Sequence, residues 1–344
     1  MKKILLFTVC FLLSFAALSQ DKYFRPVQID FGFPLSTTNV KKAKEYTNAF
    51  SINLLVGISK NERSLALAGV GNVISNNATG LQIAGVSNYI GNAGNGIAVA
   101  GVTNINKGAY NGIQVGGVYN YSGSGNGIAV AGVTNMSKDS FIGLQLSGVT
   151  NIAGDVKGLQ FAGVMNIAKK VKGVQFASIL NVAEESNFPI AFVNIIKNGK
   201  MGVALSYDMM NNTMLSFRSG GKYTYGILGV GYNNLVNDGS KVVAEAGYGI
   251  HIPITDWIEI NNEFKATSVG FSNDKTCFNA SYLLAPSFTF LNHFNVFGGA
   301  SFNYFMSDYV NSNDLMPNNY FWSKDGNYNQ RMYIGYQVGL QYVF

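Results

Sequence analysis

A chain of 344 residues with 47% hydrophobic residues has apolar material for one large or two ordinary domains, yet only 12% of it is charged, against about a quarter in soluble proteins. The net charge of +6 falls to +4 without Lys2 and Lys3, and so small and scattered a surplus argues against a nucleic-acid partner. Abundant glycine (40), Tyr (19) and Phe (24) beside 6 Pro and 2 Cys point to β-structure with tight turns, without a disulfide framework.

The chain opens MKKILLFTVCFLLSFAALSQ, two lysines before an apolar run from Ile4 to Leu18 that closes in Ala16, Ala17 and Ser19. That order predicts a secretory signal peptide over residues 1–20, a run too short for a membrane-spanning helix. Cys10 lies inside the run without the small residue before it that lipid attachment needs, so Cys277 is the one cysteine expected to remain. Residues 21–49 form an N-terminal segment, a strand or a cap, containing VQIDFGFPL from Val27.

Residues 50–200 repeat. GNGIAVAGVTN runs from Gly94 to Asn104 and again from Gly125 to Asn135. Aligned on the closing asparagine, the units end at Asn72, Asn88, Asn104, Asn120, Asn135, Asn151, Asn166 and Asn181, steps of 15 or 16 residues. The pattern is Gly, apolar, Gln or Ala, apolar, small, Gly, Val, any, Asn, and it predicts a parallel β-solenoid. An antiparallel meander could not stack the same sentence like on like. Leu81, Ile83 and Val86 head three apolar columns expected to face the interior. A small pair such as Ala84 and Gly85 makes the corner. The asparagines are expected to stack and bond each other. The Gln column, with Gln82, Gln114, Gln145, Gln160 and Gln175, is expected to form a solvated outer face.

Residues 201–344 change to longer alternating segments, at about 201–209, 212–219, 222–233, 242–252, 258–265, 276–290, 293–307 and the terminal RMYIGYQVGLQYVF. In the last, Met332, Ile334, Tyr336, Val338, Leu340, Tyr342 and Phe344 share one face, and Arg331, Gln337 and Gln341 with two glycines share the other. An apolar outside, a polar inside and aromatic ends predict an eight-stranded transmembrane β-barrel. The fold class expected is therefore all-β, a β-solenoid followed by a small antiparallel outer-membrane barrel.

The terminal strand closing in Phe344, with Tyr342 two before it, resembles the signal by which Gram-negative outer-membrane barrels are recognised. The resemblance implies the barrel-assembly machinery as a partner, acting through the Phe344 strand, and an outer-membrane location in contact with lipid. The repeats resemble a surface-repeat family of bacterial envelope proteins carrying GLQ-AG-N units, most with no assigned activity. Short PITD and LNH turns, and a long stretch from Ser307 to Asn329, put the C-terminus in the periplasm and the repeats on that side. If VQIDFGFPL from Val27 is instead the first barrel strand and the segment near Met201 belongs to the solenoid, the repeats face outward.

Chemistry-bearing groups are sparse. His251 and His293 stand on separate strands without the spacing of a metal or nucleophile site. GILGVGYN from Gly226 sits in a strand, with no helix to cradle a phosphate. Asp139 and Asp155 stand nearly alone, which disfavours a solenoid lyase. Glu245, Glu259 and Glu263 point into the barrel, where Lys265, Arg331 and Lys241 are expected to pair with them. No catalytic, metal or cofactor-binding residue is assigned and no cofactor is expected. The functional expectation is a non-enzymatic barrel-anchored scaffold or interaction surface with a protein or glycan partner. An adhesin or autotransporter-like protein binding host or matrix glycans is the alternative.

Overall fold

Like residues pair with like residues through the repeats, and the pairing is parallel. A computed structural model describes residues 23–32, 35–36, 40–235, 241–270, 277–307 and 319–344; the expected leader over 1–20 lies outside them. The fold is all-β, a parallel solenoid of about ten turns followed by a closed barrel of eight antiparallel strands, with one helical turn at Val40–Ala43. The chain divides into two compact units, residues 1–163 and 164–344, so the last coils belong to the barrel's unit.

In the first unit Asn72, Asn88, Asn104, Asn120, Asn135 and Asn151 stand in register. Each amide donates to the next, from Asn72 to Asn88 at 2.8 Å through to Asn135 to Asn151 at 3.0 Å. The second N–H of the same amides crosses to a backbone carbonyl of the facing strand, as from Asn104 to Val115 O at 2.8 Å and Asn135 to Leu146 O at 2.6 Å. Both donors are thus used, in a place where an unmade bond costs about 1–3 kcal/mol. Gly57 holds the ladder position before Asn72. There the Asn53 side chain fills the space, a Cβ on Gly57 falling 2.0 Å from its Nδ2, and donates to Leu67 O at 3.2 Å.

The ladder decides which parity is inside, and it reverses the expectation for the flanking columns. Side chains alternate along a strand, so burying Asn88 through one side of the coil and Gln82 and Ala84 through the other turns Leu81, Ile83 and Val86 outward. Ile83, Ile97, Ile128 and Leu159, with the corner residues Val86, Val102 and Val118, are exposed. The glutamines that were expected on a solvated face are buried: Gln82, Gln145 and Gln160 are at 0%, and Gln160 donates to Gln145 at 2.8 Å. Gln160 finds its partner in its own column, whereas Gln82, stacked between Ala66 and Ala98, donates to Thr79 O at 3.0 Å; small neighbours such as Ala84, Ala100 and Ala131 let the two sides of the coil approach.

The duplicated sentence follows from interior packing. Tyr110 pairs in register with Gly94 and Gly125, and Phe141 with Gly125. A Cβ on Gly94 would meet the Tyr110 ring at 2.3 Å, and one on Gly125 the Phe141 ring at 2.4 Å. Coils therefore alternate between Gly with Ala98 or Ala129, and an aromatic ring with Gln114 or Gln145. A ring wider than the ~4.8 Å strand spacing overlies its neighbouring coil, which must be empty there. Two coils make one packing period. Backbone adds its own demand at Gly96, Gly112 and Gly127, where φ is between +124° and +129° and a side chain would strain the turn.

Phe24–Gly32 pairs parallel with Thr47–Asn53. The part of the VQIDFGFPL stretch from Val27 to Gly32 therefore belongs to a solenoid strand and not to a barrel strand.

In the second unit Asn166 donates to Asn181 at 3.0 Å and Asn181 to Asn194 at 2.9 Å. Asn194 then bonds the barrel, its backbone N–H reaching Ser219 Oγ at 2.9 Å and its side chain Ser219 O at 3.1 Å. The barrel strands are Lys200–Asp208, Asn212–Gly220, Thr224–Asn233, Val242–Pro253, Ile258–Val269, Cys277–Phe290, Phe294–Ser307 and Asn329–Val343. The last closes on the first through pairs from Gly202 with Val343 to Asp208 with Gln337. Above that seam Tyr320–Lys324 pairs with the free part of the last strand, so the expected long loop holds a strand. The short LNH turn uses positive φ at Leu291 and Asn292, 49° and 60°, the left-handed pair that suits a tight hairpin.

Candidate functional site

Two enclosed polar centres carry the ionisable groups of interest, one in each unit. In the barrel, strands two to five turn Arg218, Tyr225, Glu245, Glu263 and Lys265 inward, and all five are buried. Arg218 Nη1 lies 3.0 Å from Glu263 Oε1, and Tyr225 donates to the same oxygen at 2.8 Å. Lys265 Nζ lies 3.0 Å from Glu245 and 3.7 Å from Glu263, and it also bonds Gln337. Ser216 donates to Glu245 at 2.9 Å. The Arg218 guanidinium rests 4.2 Å above the Phe297 ring. These carboxylates accept from several donors at once, which makes them struts across a filled lumen.

Toward the end of the barrel that carries the PITD turn, Lys200 Nζ lies 2.7 Å from Glu259. His251 Nδ1 lies 2.8 Å from Asn261 Oδ1 and 3.5 Å from Glu259, with its ring 4.1 Å from that of Tyr225. His293 is separate, 2.9 Å from Val343 O. Lys265 pairs with glutamates as expected, but two other expected partners do not. Arg331 pairs with Asp325 at 2.5 Å, and Lys241 lies over the Tyr232 ring at 5.4 Å. Their strand positions put them near the opposite end of the barrel. The cations that take their place, Arg218 and Lys200, were readable in part, since Arg218 shares the inward parity of Ser216 between the outward Leu215 and Phe217.

Gly226 has a packing role in place of a phosphate one. A Cβ there would fall 2.2 Å from both Ala191 O and Phe192 O, so glycine lets the last coil press onto the third barrel strand. Asp139 and Asp155 are exposed, on coils of the first unit. Among the described residues no three His, Cys, Asp or Glu side chains gather as metal ligands.

The second centre lies in the first coils. Asn48 donates to Gln28 at 2.5 Å and to Glu62 Oε1 at 2.9 Å, and Ser51 donates to the same oxygen at 2.7 Å. Gln28 also bonds Asp30. Glu62 Oε2, Asn48 Oδ1 and Ser59 Oγ are buried without a hydrogen-bond partner. Burial pushes the Glu62 carboxyl up to about 7, against hydrogen bonds from Ser51 and Asn48 that lower it. The folded state therefore holds a proton that the unfolded chain releases near 4.5, so stability falls as pH rises from 4.5 to 7 and stays low above 7. Between pH 5 and 8 the first coils should lose on the order of 3 kcal/mol. Hydrogen exchange of amides in Thr47–Ala68 should show this loss in the native chain, and Glu62→Gln should abolish it. A pH-independent wild type would contradict the assignment.

Set against known families, curated proteins and solved structures, the chain finds no match.

Proposed function

We propose that the protein is a non-enzymatic outer-membrane protein whose barrel anchors the solenoid as a scaffold or interaction surface of the cell envelope. The observation that carries this reading is the polarity of the barrel wall. Leu205, Leu215, Val230, Phe264, Ile334 and Val338 are exposed on the outside, with Val230 and Phe264 at 62%, while charged and amide side chains fill the inside. Water penalises an apolar belt of that extent, and hydrocarbon matches it. A closed sheet also leaves no backbone edge for lipid to face.

Under this reading, the short turns after Pro253 and Phe290 mark the periplasmic end. Ser219 and Thr224 lie at the same end and bond the last coil, Thr224 donating to Pro189 O at 2.7 Å. The repeats next to the barrel are thereby periplasmic. The protein should fractionate with outer membranes of a Gram-negative host and migrate faster on gels unless boiled, because a closed barrel resists detergent. Removing Phe344, whose N–H donates to Met201 O at 2.9 Å beside the closing seam, should lower the assembled form several-fold and leave export intact. Recovery of the full chain as a soluble periplasmic protein would overturn the proposal.

A further inference from the structure

The apolar columns of the last coils run onto the barrel. Phe188 stands in register with Val174, in the column headed by Leu81, and its ring stacks on Tyr223 at 5.0 Å and 21°. Val193 pairs with Leu180, which puts Phe192 after Ile179 in the corner column. Its ring stacks on Tyr248 at 5.2 Å and 14°. Tyr248 pairs with Phe264, an outward residue of the belt, so it belongs to the barrel's outer surface.

The same end of the barrel carries rings around the rest of its wall. Trp257 meets Phe288 at 6.3 Å, Phe290 meets Phe294 at 5.7 Å, and Tyr342 meets both Phe294 and Phe344, at 5.2 and 6.0 Å. Such a ring of aromatics is what a barrel places at the boundary between hydrocarbon and headgroups. On the arc where strands two to four end, Phe188 and Phe192 add their rings to Tyr223 and Tyr248. The girdle is completed there by the solenoid.

The coils are amphipathic around their circumference. Ile179 is 55% exposed, and Phe176, Phe188 and Ile195 are also exposed. The opposite corner carries ion pairs in water, Lys170 with Glu185 at 2.8 Å and Lys197 with Glu184 at 2.9 Å. A face of this kind, joined to a lipid-facing belt without a break, meets the same solvent as the belt. A soluble partner could not follow it onto the barrel without displacing lipid.

We propose that the coils of residues 164–198 lie in the interfacial layer of the bilayer, with Phe176, Ile179, Phe188 and Phe192 against lipid and the charged corner turned to water. This rests on the reading of the barrel as membrane-spanning. The test is lipid quenching of a fluorescent probe on the full chain, in a Cys277→Ala background, refolded into phosphatidylethanolamine and phosphatidylglycerol vesicles. A nitrobenzoxadiazole probe is placed by Ile179→Cys, Phe176→Cys, Glu184→Cys or Phe264→Cys, and heat-modifiable migration confirms folding of each. Nitroxide lipids labelled near the headgroup should quench the probes at 179 and 176 several-fold more than the probe at 184. Deep-labelled lipids should quench chiefly the probe at 264. If 264 is quenched while 179 and 176 behave like 184, the inference is overturned and the barrel reading stands. If 264 is not quenched, the barrel reading fails and the inference with it. A blue-shifted, unquenched probe at 179 and 176 that changes on dilution would assign the face to a second copy and also overturn the inference.

Discussion

Deleting residues 105–135 should leave a folded chain that melts somewhat below the parent, whereas deleting residues 121–135 alone should cost more. Both cuts preserve backbone register, because Ile105, Tyr121 and Met136 occupy one column. They differ in the interior. The longer cut brings the Phe141 coil onto the coil of Gly94, where the Tyr110 ring now lies, so an aromatic ring still overlies a glycine. The shorter cut stacks the Phe141 coil on the Tyr110 coil, ring upon side chain, and overpacking of this kind costs about 1–3 kcal/mol. Removing residues 105–120 makes the converse error, setting Gly125 against Gly94 and leaving an aromatic-sized void worth about 3–5 kcal/mol. A cut of residues 105–127 removes about a coil and a half and should not fold, since it turns apolar and amide columns to the wrong sides. Circular-dichroism melts of the full chain in detergent measure the coils, and heat-modifiable migration reports the barrel separately. Because solenoid stability is nearly a sum over coils and interfaces, equal melts for the two-coil and one-coil cuts would mean that ring and glycine alternation does not set the repeat.

Arg218→Met should be the most damaging single substitution in the barrel, with a loss of about 3–5 kcal/mol. It leaves Glu263 buried with the Tyr225 hydroxyl at 2.8 Å and the Lys265 ammonium at 3.7 Å, the latter already engaged by Glu245 at 3.0 Å. The damage comes from the stranded carboxylate more than from the lost guanidinium. Adding Glu263→Gln to the Arg218→Met chain should therefore restore a substantial part of the loss. Urea-unfolding midpoints in micelles decide the matter. A double variant no more stable than Arg218→Met would show that the pair is not energetically coupled.

Several features were legible without coordinates because they depend on local chemistry or strict periodicity. Like-on-like repeats force parallel stacking, and the asparagine spacing sets the coil length. Alternation over 9 to 15 residues marks each of the eight barrel strands, and the terminal strand closes the barrel as its pattern required. The lysine and glutamates of the lumen were found through the same parity.

Tertiary structure alone decided the rest. Parity within a short strand says that Leu81 and Gln82 face opposite ways, but not which way is in. That choice belongs to the asparagine ladder, whose second N–H bonds a carbonyl across the coil that no spacing rule identifies. The reason for the duplicated sentence lay in the reach of the Tyr110 and Phe141 rings over a neighbouring coil, a packing relation between residues some 16 apart in the chain. The choice of Arg218 over Arg331 as the partner of Glu263 depends on depth along the barrel, set by strand register across several hairpins. The stacking of Phe188 on Tyr223 and Phe192 on Tyr248 depends on where the last coil meets the barrel. Sequence determines the period and the parity of each segment, since these follow from backbone geometry residue by residue, while the inward face and the ionic partners emerge only when separate segments compete for the same enclosed space.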